Sequence, residues 1–196
     1  MGLDLIPAEL QARYTFEERE HAISILARDF PDEFKDICDC LNGFVIRRQY
    51  ITQRGGRKSL TSIAIDTFLH DRGWREKEFD IKITVDRRDI NIPTHKIDNF
   101  KNRVGIETEW NNKDPFFDRD LNNFRLLRDL HVLSVGVIIT RLDELQTVFK
   151  RLGRAKSYGA STTHWGKLIP KVNGGGAGGC PLLLIGMGFR CLEPNL

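Results

Sequence analysis

The stretch RVGIETEW, Arg103 to Trp110, decides how the rest of the chain is read. Val104, Ile106, Thr108 and Trp110 are apolar or β-branched. Between them Arg103, Gly105, Glu107 and Glu109 are charged or small. An alternation of this kind is the period of a β-strand. Glu107 and Glu109 therefore project from one face, their Cα atoms about 7 Å apart at the usual rise per strand residue. Two like charges side by side repel, so water, a basic partner or a metal ion must make the pairing tolerable. A third acid, Asp98, lies just upstream.

Working outward, HVLSVGVIIT (131–140) is nearly continuously apolar and reads as a central strand buried on both faces. CPLLLIGMG (180–188) reads as a second buried strand, and FDIKITVDRR (79–88) alternates as a third. SLTSIAIDTFLHDRGW (59–74) predicts a helix capped by Ser59 or Thr61 and closed by Gly73. DPFFDRDLNNFRLLRDL (114–130) predicts another, with Pro115 early and acids in its first turns, where the helix dipole favours them. LDELQTVFKRLG (142–153) predicts a short helix. Near the N-terminus, Thr15 and Glu18 have capping-box spacing ahead of Ala22, Ile25 and Leu26, which predicts a helix over 15–30. Pro31 opens a further helix that Gly43 closes. FVIRRQYIT (44–52) is β-rich, and DINIPTHKIDNFKN (89–102) reads as irregular.

YGASTTHWGKLIPKVNGGGAGG (158–179) reads as a long polar, glycine-rich loop that orders on a partner. It formally contains G-x-G-x-x-G at Gly174, Gly176 and Gly179. The motif leads into a strand rather than out of one and lacks the lysine of a phosphate-binding loop, so it is not a nucleotide fingerprint. The expected fold is α/β: a single domain over 1–196 with a central mixed β-sheet flanked by helices and a helical N-terminal part over about 1–45.

Composition narrows the function. The chain has 196 residues, 29% charged and 40% apolar, ordinary for a globular protein with a real core. No run approaches the length of a membrane span, and no basic n-region with an apolar stretch marks a secretory signal. The four cysteines lack zinc-site spacing, and reduced thiols are expected. Net charge is only +3, but it is unevenly spread. Residues 1–43 hold ten acids and four bases; residues 45–60 hold five bases and no acid; residues 145–192 hold seven bases and no acid. A basic face of this kind attracts a polyanion, most often nucleic acid.

Carboxylates from two adjoining segments make a hard oxygen site of the kind Mg²⁺ prefers. Acids at the centre with bases around them suit phosphodiester hydrolysis. The competing reading is that Glu107 and Glu109 line the solvated face of an edge strand.

Asp98, eight residues, then Glu107-x-Glu109 resembles the metal-binding signature of the PD-(D/E)xK nucleases. DNFKNRVGIETEW with the following helix and SVGVIITRLDEL, the upstream GGRKS…DTFLHDRGW and the late GGCPLLLIGM are similar to type II restriction endonucleases of the BglII and BstYI group. The resemblance runs over about residues 55–188. It implies a restriction-endonuclease-like fold, Mg²⁺, double-stranded DNA as substrate and a homodimer on a palindromic site. It also implies a prokaryotic cytoplasmic location and a cognate DNA methyltransferase in the same system, without a stable complex.

Asp98 and Glu107 resemble the metal ligands. Glu109 stands where the superfamily has lysine and this group glutamine, an exchange similar to BamHI. It could orient or deprotonate the attacking water, with Lys96 or Lys113 as substitute cations and Asp86 as a further ligand. Candidate base readers are Asn111, Asn112, Lys113, Arg141, Ser161, Thr162, Thr163, His164 and Lys167, because Asn pairs bidentately with adenine and Arg or Lys with guanine. Arg54, Arg57 and Lys58 are expected on phosphates. The alternatives are another metal-dependent nuclease on the same core and a non-catalytic DNA-binding protein. A defined fragment ladder separates the first of these, and metal-independent binding without cleavage the second.

Overall fold

The computed structural model describes residues 2–53, 58–92 and 94–196. A 3₁₀ turn (Gly2–Leu5) and α1 (Ala8–Arg13) lead directly into β1 (Tyr14–Arg19). α2 (Ala22–Asp29), α3 (Pro31–Gly43) and α4 (Arg48–Thr52) follow, then α5 (Leu60–His70), β2 (Arg75–Lys77), β3 (Ile81–Val85) and β4 (Arg88–Ile92). β5 (Ile97–Lys101), β6 (Val104–Glu109), α6 (Pro115–Asp129) and β7 (Val135–Arg141) make the centre. α7 (Gln146–Arg151), α8 (Trp165–Asn173) and β8 (Leu182–Met187) complete the chain.

Six strands form one mixed sheet in the order β1-β8-β7-β6-β5-β2. β6, β7 and β8 are parallel; β1, β5 and β2 join antiparallel. The expected α/β class with a mixed sheet flanked by helices is what the chain adopts. The three parallel strands are buried along their whole length, which is why 131–140 and 180–188 read as unbroken apolar runs. One core lies between the sheet and α2, α3, α5 and α7; Val104 and Ile106 of β6 and Trp110 just after it point into it. The other lies under α6 and α8 and takes Phe117, Leu121 and Phe124.

Several expectations are corrected. Residues 14–19 are a strand, not the start of a helix, so the N-terminal part is not wholly helical. Glu18 does not complete a capping box. Its carboxylate accepts from Gly2 N at 2.6 Å and Ile23 N at 3.0 Å, so it caps the first turn of α2 from the neighbouring strand. The β-rich 44–52 stretch contributes one bridge at Ile46 and then the helix α4. The supposedly irregular 89–102 segment carries β4 and β5; β4 pairs with β3 through a turn at Asp86 and Arg87, both at positive φ as a tight hairpin turn needs. The long polar loop contains α8, whose Trp165, Leu168, Ile169 and Val172 have helical spacing and pack on the second core. None of the described helices is long and apolar enough to cross a membrane.

Candidate active site

β6 is an interior strand: Glu107 lies beside Ile138 and Glu109 beside Thr140 of β7, with β5 on the other side. The edge-strand reading of the two glutamates therefore fails. Glu107 is 2% and Glu109 1% exposed. Both lie on the α6 side of the sheet, and α6 comes unusually close. A Cβ on Gly136 of β7 would lie 2.5 Å from the Phe124 ring, so the glycine lets the helix settle onto the strands. One turn before Phe124, Asp120 is thereby lowered into the acidic cluster, where it is 1% exposed.

Asp98 lies on β5 just before Asn99, which pairs with Ile106; its Oδ2 accepts from Thr108 N at 3.3 Å. Among the described residues, no group donates a hydrogen bond to the buried Glu107 Oε1 or Asp120 Oδ2 while the acids are ionised; a protonated Glu109 shares its proton with Asp120. Burial holds the Glu107 carboxyl well above the usual range, and the negative charges of Asp120, Asp98 and Glu109 add to it. Burial and Asp120 push Glu109 up to about 9, against the opposing pull of Asn112 and Arg119. Burial pushes Asp120 up to about 6, although Arg119 holds it down.

Two cations border the cluster. Arg119 donates from Nε and Nη2 to Asp120 Oδ1 at 2.8 and 2.7 Å and lies 3.8 Å from Glu109 Oε1. Lys58 Nζ is 2.6 Å from Asp66 Oδ2 and 3.2 Å from Asp98 Oδ1. Asp66 of α5 is fixed in turn by Asn99, whose Nδ2 donates to it at 2.8 Å. A cleft of about 660 Å³ opens over these groups, lined among others by Lys58, Asp98, Glu109, Asn111, Asn112 and Arg119. Lys96 instead pairs with Glu76 at 3.3 Å, Lys113 is exposed, and Asp86 lies in the hairpin turn of a separate two-stranded sheet.

No three Cys, His, Asp or Glu side chains among the described residues already form a metal cage. The donor set nevertheless fits a hard divalent cation. Two carboxylate oxygens without a donor among the described residues, buried among mutually repelling acids, are what such an ion would satisfy.

The two stretches holding most of the expected base readers are brought together. Asp114 N donates to Ser161 O at 3.0 Å and Thr163 N to Asn112 O at 2.8 Å, and Lys113 bridges to Thr162. Asn111 lines the cleft, and Asn112 Nδ2 donates to Glu109 Oε2 at 3.0 Å. Ser161 is exposed; Thr162 and Thr163 are buried. His164 precedes α8 with Nδ1 2.7 Å from Asp143, and Lys167 lies 3.6 Å from Asp114. Arg141 is not an open rim side chain. It is 1% exposed and donates to Thr162 Oγ1 at 2.9 Å and Tyr158 O at 3.4 Å. Arg54 and Arg57 lie outside the described residues. The basic clustering of 145–192 is partly offset in space, because Lys167 and Lys171 reach Asp114 and Asp118.

Sequence reasoning missed Asp120, Arg119 and Asp66. A signal for the two acids existed. Asp120 interrupts the stripe Phe117, Leu121, Phe124, and Asp66 the stripe Ser62, Ile65, Leu69. An acid on the buried face of a helix demands a partner.

No curated protein matches the chain. The family model described as restriction endonuclease BglII/BglIII matches residues 14–187, from the first residue of β1 to the last of β8. That span covers the whole sheet and every carboxylate of the buried cluster. The chain therefore belongs to the BglII/BglIII restriction endonuclease family, has a restriction-endonuclease-like fold, and is a type II site-specific deoxyribonuclease, a hydrolase that binds double-stranded DNA.

Proposed function

We propose that the protein uses Mg²⁺ to hydrolyse both strands of a palindromic duplex site, acting as a homodimer. The observation that carries the reading is the pair of buried oxygens without a donor among the described residues, Glu107 Oε1 and Asp120 Oδ2, beside a cleft that Asp98 and Glu109 line. Asp98 and Glu107 would hold the ion, with Asp120 beside them. When bound, the ion draws charge from a phosphoryl oxygen and makes neighbouring water a stronger nucleophile.

The chain's own residues supply the rest. Glu109 borders the cleft with Oε2 held by Asn112, the placement a base needs to take the proton of the attacking water. A cation beside Glu107 lowers the cost of ionising Glu109. Lys58 and Arg119 offer positive charge to the phosphate in place of the lysine that Glu109 replaces. Asn111, Asn112, Lys113 and the 161–167 segment form the adjoining rim, from which base edges are read; Arg54, Arg57 and Lys58 contact phosphates. One acidic centre serves one strand, so a two-fold pair of chains matches a palindrome. A methyltransferase of the same specificity protects host DNA without a stable complex.

The test is a digest of a sequenced plasmid with Mg²⁺ and with EDTA, beside Glu107→Ala. Discrete Mg²⁺-dependent bands, lost in the variant, support the reading, and their ends give the site. A smear unaffected by the variant overturns it and favours a different centre.

A further inference from the structure

Arg141 ends β7 one residue beyond Thr140, the register partner of Glu109. It is nearly sealed from solvent, and no carboxylate lies within ion-pairing distance of it among the described residues. Burial lowers its guanidinium to about 10. An isolated buried cation is costly, so its contacts need a reason. It lies 5.3 Å from the Phe149 ring centroid and 5.7 Å from that of Tyr158. Its Nη2 donates to Thr162 Oγ1 at 2.9 Å, and that hydroxyl donates on to Gly159 O at 2.7 Å.

From Thr162 a continuous path runs to the acidic strand. Lys113 bridges to Thr162, Thr163 N donates to Asn112 O at 2.8 Å, and Asn112 Nδ2 holds Glu109 Oε2 at 3.0 Å. The first two steps join the 158–164 loop to the 111–114 loop, and the third reaches a carboxylate at the cleft.

We propose that Arg141 and Thr162 are positioning residues that couple the fit of the rim loops on DNA to the orientation of Glu109. The inference rests on the reading that the rim meets DNA and Glu109 acts at the phosphate. A correct base sequence leaves the 158–164 loop seated on the 111–114 segment, so that Asn112 keeps the hold on Glu109 that the chain already has. A wrong base leaves the loop unseated and Glu109 turned away. Recognition is thereby read as rate as well as affinity.

The experiment uses the full chain on duplexes carrying the mapped site and on duplexes changed at one base pair. Thr162→Val keeps the shape and removes the hydroxyl; Thr162→Ser restores it; Arg141→Lys keeps charge without the fork. Thermal melts check folding, and Glu109→Ala is run alongside. Thr162→Val and Arg141→Lys should lower kcat on the cognate duplex about 10–100-fold, the range for losing a hydrogen bond to a charged group. KM for DNA should hold within about threefold, the ratio of cognate to altered-site cleavage should fall, and Thr162→Ser should recover both. Unchanged kcat and unchanged discrimination in folded Thr162→Val would overturn the coupling. So would a rise in KM alone, which marks a plain binding contact. If Arg141→Lys fails to fold, Thr162→Val decides. If Glu109→Ala cleaves at the parent rate, the underlying site reading falls and takes the coupling with it; if Glu109→Ala is inactive while Thr162→Val behaves as the parent, only the coupling falls.

Discussion

Two charged centres are buried at the same end of adjacent parallel strands, and they are built in opposite ways. On β6, Glu107 and Glu109 are crowded by Asp98 and Asp120, and two of the ionised cluster's oxygens have no donor among the described residues. On β7, Arg141 is surrounded by two aromatic rings and gives its protons to a hydroxyl and a carbonyl. The cationic centre is partly settled by the chain itself: Arg141 Nη2 has two acceptors, while its buried Nε has none among the described residues. The acidic centre keeps its mutual repulsion, and it opens on the cleft. Burial alone therefore does not mark a charge that awaits a ligand. What marks it is repulsion left standing where a ligand can enter.

The largest effect expected of this difference is on cleavage. Glu107→Ala should lower the rate at least ~10³-fold, about 4 kcal/mol of transition-state stabilisation, because Glu107 is a donor proposed for the cation. Single-turnover cleavage at saturating Mg²⁺ measures it, and a loss under tenfold would break the comparison. Asp120→Asn should cost less, about 10–100-fold, as for groups that support rather than form a metal's ligand set. A loss equal to that of Glu107→Ala would instead promote Asp120 to a full ligand. The readout is the Mg²⁺ concentration giving half-maximal rate, which should rise in Asp120→Asn.

Asp120 also shows where the sequence stops being readable. The alternation of 103–110 and the apolar runs at 131–140 and 180–188 are local patterns, so the centre of the sheet and the positions of Glu107 and Glu109 were legible. α5 and α6 were legible because their caps and prolines are local too. β1 was not. Its strand partner is β8, at the far end of the chain, and its charged residues carry a helix-start pattern that tertiary pairing overrides. α8 was hidden because Pro170 and the following glycines mask its apolar stripe. The site divides in the same way. Asp98 and Glu107 lie at a recognisable spacing on neighbouring strands. Asp120, Arg119, Asp66 and Lys58 reach the site from α6, α5 and the segment before α5, and nothing in linear spacing records that convergence. Arg141 shows the converse failure: a basic residue after a strand reads as a rim contact until packing places it inside.

The smallest effects are on stability, and there the two centres should answer with opposite signs. Without metal, Glu109 is raised to about 9 from an unfolded value of 4.5. Between those values the folded state holds a proton that the unfolded state has released. Stability of the metal-free protein should therefore fall as pH rises through that window. Glu109→Gln removes the penalty, so at pH 8 it should melt higher than the parent by about 2–4 °C, the effect of ~1 kcal/mol on a chain of this size. The gain should fade as pH falls below 4.5, where the glutamate becomes protonated in both states. Mg²⁺ should raise the parent's melting temperature at pH 8 and leave Glu107→Ala unmoved. Thr162→Val should go the other way, losing about 1–3 kcal/mol at either pH, because it leaves the buried Arg141 guanidinium without its hydroxyl acceptor and relieves no repulsion. Thermal melts of the three variants at the two pH values suffice. A Glu109→Gln protein that melts below its parent at pH 8 would mean that the acidic centre is already satisfied by Arg119 and Lys58, and that the chain holds both centres in the same way.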